Sequence, residues 1–219
     1  ARDKWMKPGG SMFPSHATMY FAAISHEDDR CTKSQDYQHS IVEWSKFEGE
    51  MKKFYNIDMG ALGPAYGHEQ EQYYIYSSLW TELAIEHVIG QPTVMKRFDL
   101  NTCTLEDAVG VDTVPFDISV PFPCTVSGFA GWFTVNFNGS EETKVERRVT
   151  LSTGPEMGYT HWGQQVFYFP EAIEAAQGTK LHGTVSMTRQ AKNKRMYSFG
   201  MQLSVDDSGP LEKLHFEIP

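Results

Sequence analysis

The spacing of apolar positions changes twice along the chain. Residues 1–7 carry helix formers and stop at Pro8-Gly9-Gly10. Met12 to Ile24 then reads as extended, with Phe13, Met19, Tyr20, Phe21 and Ile24 apolar and Pro14 marking a bend or an edge. His26 to Gln38 is polar and charged, and reads as a surface connection. From residue 39 to 55 the period becomes helical. Ile41, Trp44, Phe47, Met51, Phe54 and Tyr55 recur at three- and four-residue steps, between Glu43, Lys46, Glu50 and Lys53. Lys52 and Lys53 fall in its last turns, where cations suit the negative end of the helix dipole. Gly60, Gly63, Pro64 and Gly67 break the chain, and a second helix is predicted from His68 to Leu83, carrying Tyr73, Tyr74, Ile75 and Trp80.

From Pro92 onward the pattern is β. Strands are predicted at Thr93–Phe98, Phe116–Val120, Cys124–Phe137, Lys144–Ser152, Gln165–Phe169, Leu181–Met187 and Met196–Val205, spaced as in a sandwich or barrel. Phe129, Gly131, Phe133, Val135 and Phe137 alternate onto one face. Asn138-Gly139 reads as a two-residue hairpin turn, although Asn138-Gly139-Ser140 formally matches a glycosylation acceptor. Gly178, Asn193 and Asp206-Asp207-Ser208-Gly209-Pro210 mark further turns. The two aromatic-rich helices form a hairpin that cannot cover its own apolar face. It packs either on this chain's sheet or, as an arm, on another subunit.

Composition narrows the class. With 219 residues, 40% of them hydrophobic, the chain can bury a real core. No apolar run approaches the ~18 residues of a membrane span. A net charge of −9 disfavours nucleic acid and anionic membranes and suits basic partners, though it is also ordinary for an acidic protein. Cys31, Cys103 and Cys124 are far apart with no CxxC pair, so zinc and redox motifs are unsupported and reduced thiols are expected.

The chemistry concentrates at Tyr159-Thr160-His161-Trp162-Gly163-Gln164-Gln165-Val166-Phe167-Tyr168-Phe169. A histidine and an indole stand together at the mouth of a strand. His161 is either a proton-handling residue or a rim histidine satisfied locally. Trp162 is either packing or a face for a cation, or both. His26, His39, His68 and His87 are expected to be exposed, with no metal-like spacing.

The Thr160-His161-Trp162 loop resembles that of the protein arginine methyltransferases. Three other segments match the family in order: Ala1-Arg2-Asp3-Lys4-Trp5 with Pro8 to Pro14, Phe54-Tyr55-Asn56-Ile57-Asp58-Met59, and Ala191-Lys192-Asn193-Lys194-Arg195. Ser152-Thr153-Gly154-Pro155 matches the approach to the loop. Gly163 and the segment Glu69 to Ile75 look like the plant-type (type 10-like) branch, whose product is asymmetric dimethylarginine.

The resemblance implies a mostly β fold. Residues 1–25 are a terminal helix and strand left from a Rossmann-type methyltransferase domain. Residues 26–219 are a β-barrel-like domain with an inserted helical dimerisation arm at about 36–84. It implies His161 as catalytic, Thr160 and Trp162 as substrate-binding, and Trp44, Phe47, Met51, Phe54, Asp58 and Met59 as the dimer arm. Arginine-rich proteins are the implied substrates, a homodimer or larger assembly through the arm the implied state, and cytoplasm and nucleus the implied compartments. The Phe13–Pro14 bond is expected to be cis.

The family's cofactor is S-adenosylmethionine, bound by a glycine-rich loop, and two hairpin glutamates grip the arginine. Neither feature is found in this sequence. The expectation is that the chain opens inside a helix after both, binds no cofactor or metal, and is inactive alone. The alternatives are a non-catalytic structural subunit of a larger assembly and an unrelated all-β binding module.

Overall fold

The computed structural model describes residues 2–206, 208 and 213–218. Ala1 and the Asp207, Gly209 and Pro210 positions of the predicted 206–210 turn lie outside them. Helix α1 (Arg2–Trp5) leads through a cis Phe13–Pro14 bond into β1 (His16–Ile24). Helices α2 (Glu27–Tyr55) and α3 (Gly63–Tyr74) follow. The remaining strands are β2 (Leu79–Thr81), β3 (Val88–Asp99), β4 (Gly110–Ser119), β5 (Cys124–Asn136), β6 (Thr150–Ser152), β7 (Gln164–Ala175), β8 (Lys180–Arg189), β9 (Tyr197–Val205) and β10 (Leu214–Ile218).

Two antiparallel sheets enclose one core. The first has the order β2-β7-β5-β1-β3, with β6 on β5; the second runs β10-β9-β8-β4. β3 packs beside β4 along one seam. Along the other, Ser78 N donates to Glu217 O at 2.9 Å and Glu217 N to Tyr76 O at 2.9 Å. Both seams therefore join, and the sandwich is barrel-like. Phe21, Phe129, Phe167, Phe199 and Phe216 fill the interior. Phe21 and Phe129 stack with centroids 4.4 Å apart, an arrangement that adds to their burial.

β5 is covered on both faces. Phe129 points into the barrel, whereas Ala130 and Trp132 join Ala22, Ile24, Leu83, Val166 and Tyr168 in a second cluster outside it. A strand buried on both faces explains why its sequence runs apolar rather than alternating cleanly.

Several expectations are corrected. β1 pairs with both β5 and β3, so the boundary drawn after residue 25 cuts through the barrel's own sheet. α2 begins at Glu27, not near 39, and absorbs the predicted connection. Its first turn carries Glu27, Asp28 and Asp29, which favour the positive helix end, and Arg30 pairs with Glu27 one turn on. Local propensity and charge make this helix where no apolar stripe exists to announce it. Asn56, with φ 53°, ends it, its N–H reaching back to Lys52 O at 3.1 Å.

α3 begins at Gly63-Pro64 and stops at Tyr74, so the second helix does not run from His68 to Leu83. Trp80 belongs to β2. The predicted strand at 144–152 shrinks to β6. The hairpin tip falls at Ser140–Thr143 between bridged Gly139 and Lys144, not at Asn138-Gly139. β2 and β10 add strands that the apolar pattern does not predict.

The arm is anchored by polar contacts at its root. Arg30 Nη1 donates to Pro170 O at 2.8 Å and Lys33 Nζ to Ser77 O at 2.7 Å. His26 Nδ1 lies 2.9 Å from Tyr168 Oη, and its ring packs at a tilt against His87, 4.2 Å between centroids. His26 and His87 are thus half-buried rather than exposed; His39 and His68 are exposed. Among the described residues no helix is long and apolar enough to cross a membrane.

Candidate functional site

The Thr160-His161-Trp162 loop enters β7 at the open end of the barrel. Gly163, at φ +51°, turns the chain there, and its N–H donates to Thr160 O at 3.2 Å. A Cβ at this position would meet Thr81 O at 2.7 Å and the Trp80 ring at 2.8 Å. The turn therefore requires glycine on both conformational and steric grounds.

The next residue fixes the loop. Gln164 is 2% exposed; its Oε1 accepts from Leu83 N at 2.6 Å and its Nε2 donates to Thr153 O at 2.8 Å. Thr153, fully buried, accepts from Phe133 N at 3.1 Å through Oγ1 and donates to Phe133 O at 2.9 Å. Two buried polar side chains thus tie the approach segment, the edge segment and β5 together, each with its bonds satisfied.

On that base the two ring residues project outward. Trp162 is 51% exposed and meets Phe133 edge-on at 6.2 Å. His161 is exposed, stands edge-to-face to Trp162 at 5.8 Å, and has no hydrogen-bond or ion-pair partner among the described residues. It is not a rim histidine satisfied by local bonds. The Thr160 hydroxyl oxygen is buried without a partner among the described residues. The structure thus brings Thr160, His161 and Trp162 to one corner.

Among the described residues, carboxylates do not converge there in pairs. Glu156, on the same loop, accepts from Ser152 Oγ at 2.5 Å. Glu141 is 94% exposed on the hairpin tip, 2.9 Å from Lys144, which holds its carboxyl below the usual range. Gln164 and Thr153 are the residues whose role the sequence did not disclose. The signal was the amide pair Gln164-Gln165 leading into an apolar run, where a polar side chain can be buried only if its bonds are satisfied.

The arm residues form a separate group. No residue of α2 is buried. Trp44 stacks on Tyr66 of α3 at 4.3 Å and meets Phe47 at a tilt, 5.5 Å away, so part of the stripe is covered inside the arm. Phe47 and Phe54 remain 41% and 65% exposed. Met51 and Met59 are half-buried. Asp58 Oδ1 accepts from Gly60 N at 3.0 Å, a bond that lowers its pKa, and Lys52 lies 3.6 Å away.

A barrel-like domain bearing this loop and an uncovered helical arm defines a class. Residues 15–208 match the family model for the arginine methyltransferase oligomerization subdomain, and the chain belongs to that family. It is 34% identical over 219 residues to the protein arginine N-methyltransferase PRMT10 of Arabidopsis thaliana, covering 99% of this chain and 57% of that protein. Protein arginine N-methyltransferase 6 of Xenopus laevis is 33% identical over 201 residues, covering 89% and 51%.

The crystal structure of the Arabidopsis thaliana protein arginine methyltransferase 10, described as uniquely open, superposes with a TM-score of 0.94 at 32% identity. It covers all of this chain and 64% of that one. A Trypanosoma brucei enzyme-prozyme heterotetrameric complex with AdoHcy shares the fold, with a TM-score of 0.70 at 20% identity over 100% of this chain and 61% of that one. The chain spans little more than half the length of the curated relatives it matches.

The family implies S-adenosylmethionine, and the described residues do not fit it. The cavity beside Trp162 is lined by no charged side chain that could pair with the cofactor's amino-acid end. A more polar recess, about 530 Å³, lies against the hairpin with Lys144 and Arg148, and lacks the glycine loop between strand and helix that seats a nucleoside. Among the described residues no group of three or more His, Cys, Asp or Glu side chains is placed to hold a metal.

Proposed function

We propose that this chain is the substrate-binding and dimerisation portion of an S-adenosylmethionine-dependent protein arginine methyltransferase. The observation that carries the reading is the unpaired, outward His161 beside the half-exposed face of Trp162, on a base fixed by Gln164 and Thr153.

A guanidinium is delocalised and protonated, so it is a poor nucleophile. A site for it must hold the planar cation, align one nitrogen and take up a proton. Trp162 offers an apolar wall for the arginine stem and a π face for its charge. In this reading His161 orients a carboxylate or receives the departing proton. The carboxylate pair that would grip the fork is not among this chain's assigned groups, so the isolated chain is inactive in this reading. Its net charge of −9 favours basic, arginine-rich substrates.

The arm supports dimerisation. Phe47 and Phe54 stay open to solvent because nothing in the barrel covers them, and apolar surface of that kind marks an interface. Joining the chain to the amino-terminal portion of the Arabidopsis relative tests the reading. The chimera methylates arginine peptides if the reading holds; a folded, dimeric chimera that binds S-adenosylmethionine but transfers no methyl group overturns it.

A further inference from the structure

At the end of the barrel where Trp162 sits, the core does not close. A cavity of about 420 Å³ remains between the two sheets. Its walls include Met19, Met95, Phe167, Met187 and Phe199, with Trp162 at its edge. Met95, Phe167 and Phe199 are buried, while Met19 and Met187 are half-buried and stand between core and mouth. Phe167 and Phe199 stack at 4.2 Å and present a fixed wall. Among the described residues no charged side chain lines the space. Apart from the indole N–H groups of Trp132 and Trp162, its polar side chains are Tyr20 and Gln165, and the Gln165 amide already donates to Ser78 Oγ at 2.5 Å.

These features select a ligand class. The volume lies within the range of about 300–1,000 Å³ typical of small-molecule sites. An apolar space of this kind holds water poorly, because water finds too few polar partners there. A charged guest would lose its hydration and gain no counter-charge. Thioethers adapt to the outline of a guest, and the ring pair favours another ring set edge-on or offset.

We propose that this cavity is a binding site for a neutral aromatic molecule of one or two fused rings, seated between Met95, Met187 and the Phe167–Phe199 pair and touching Trp162 from the barrel side. The site does not depend on methyl transfer by the loop. It shares Trp162 with that loop, so an occupant braces the indole from within.

Indole is a suitable probe, with the chain labelled by ¹³C at its methionine methyl groups. The expected result is saturable movement of the Met19, Met95 and Met187 methyl signals while Met51 and Met59 of the arm stay fixed. Met187→Trp, which fills the space, should weaken binding about tenfold or more, and Met187→Leu should leave it within a few-fold. Indole-3-acetate, the same ring with a carboxylate, should bind about tenfold or more weaker than indole.

The proposal is overturned if no saturable shift appears up to the solubility of indole, or if the arm methionines move as much as the three in the cavity. It is also overturned if a folded Met187→Trp binds indole unchanged. Should Met187→Trp fail to fold, the methyl map on the unmodified chain decides alone.

Discussion

Trp80 donates its indole N–H to the backbone carbonyl of Trp162, with Nε1 and O 2.5 Å apart. The bond holds the loop tryptophan by its backbone and leaves its ring free to project. The short edge strand β2 thus sets the position of a loop some eighty residues away in sequence, and the packing of the Trp80 ring against Gly163 completes the clamp.

Gly163→Ala should break that clamp. The new methyl group meets Thr81 O and the Trp80 ring, and the backbone keeps a left-handed φ that alanine resists. A loss of about 2 kcal/mol or more is expected from strain and displacement together. Urea denaturation measures it; an unchanged midpoint would show that the loop relaxes freely.

Gln164→Leu keeps the volume and removes both bonds. The Leu83 N–H and the Thr153 carbonyl are then left without their partner in a buried setting. Each unsatisfied group costs about 1–3 kcal/mol. The expected outcome is a clear fall in thermal midpoint with faster amide exchange at Leu83; exchange at Leu83 unaltered from the unmodified chain would contradict it.

Much of the barrel was legible because alternation survives in β3, β4, β8 and β9, whose outer faces meet water. β2 and β10 escaped because each is a short edge strand, defined by its pairing with β7 or β9 within its own sheet rather than by a long apolar period. The start of α2 escaped for a different reason. Glu27 to Gln38 carries no apolar stripe, and its helicity rests on terminal charge and on continuity with the helix beyond it.

The site was legible as a cluster, since Thr160, His161 and Trp162 adjoin in sequence. Its support was not, because Thr153, Leu83 and Trp80 reach it only through folding. Whether the exposed stripe faces a second chain is likewise invisible in sequence. An amphipathic helix reads the same in either setting.

The arm prediction follows from that exposure. Phe47→Ala with Phe54→Ala should lower the oligomer mass seen by light scattering and leave the barrel's melting temperature nearly unchanged, since both side chains lie outside the barrel core. Trp44→Ala with Phe47→Ala should do the same and also loosen the arm, because Trp44 stacks on Tyr66. A pair that melts the barrel and spares assembly would make the arm ordinary core.

Lys33 gives the fold a pH dependence. Burial at the arm root lowers its amine to about 8, while it donates to Ser77 O. In the unfolded chain a lysine holds its proton to about pH 10.4. Between these values the unfolded state binds more protons, so stability contributed by this group rises with pH through that window. Lys33→Met should remove the rise and stabilise the fold at pH 7. Denaturation curves of the two proteins that run parallel across the window would rule this out.

The role of His161 is tested most directly in the chimera joined to the amino-terminal portion of the Arabidopsis relative. Steady-state kinetics on an arginine peptide should show His161→Ala lowering kcat by about a hundredfold or more, in the range of general acid–base groups, with assembly unchanged. Trp162→Ala should act mainly on KM. Methylation by the His161→Ala chimera at the unmodified rate would contradict the assignment of this loop as the arginine site.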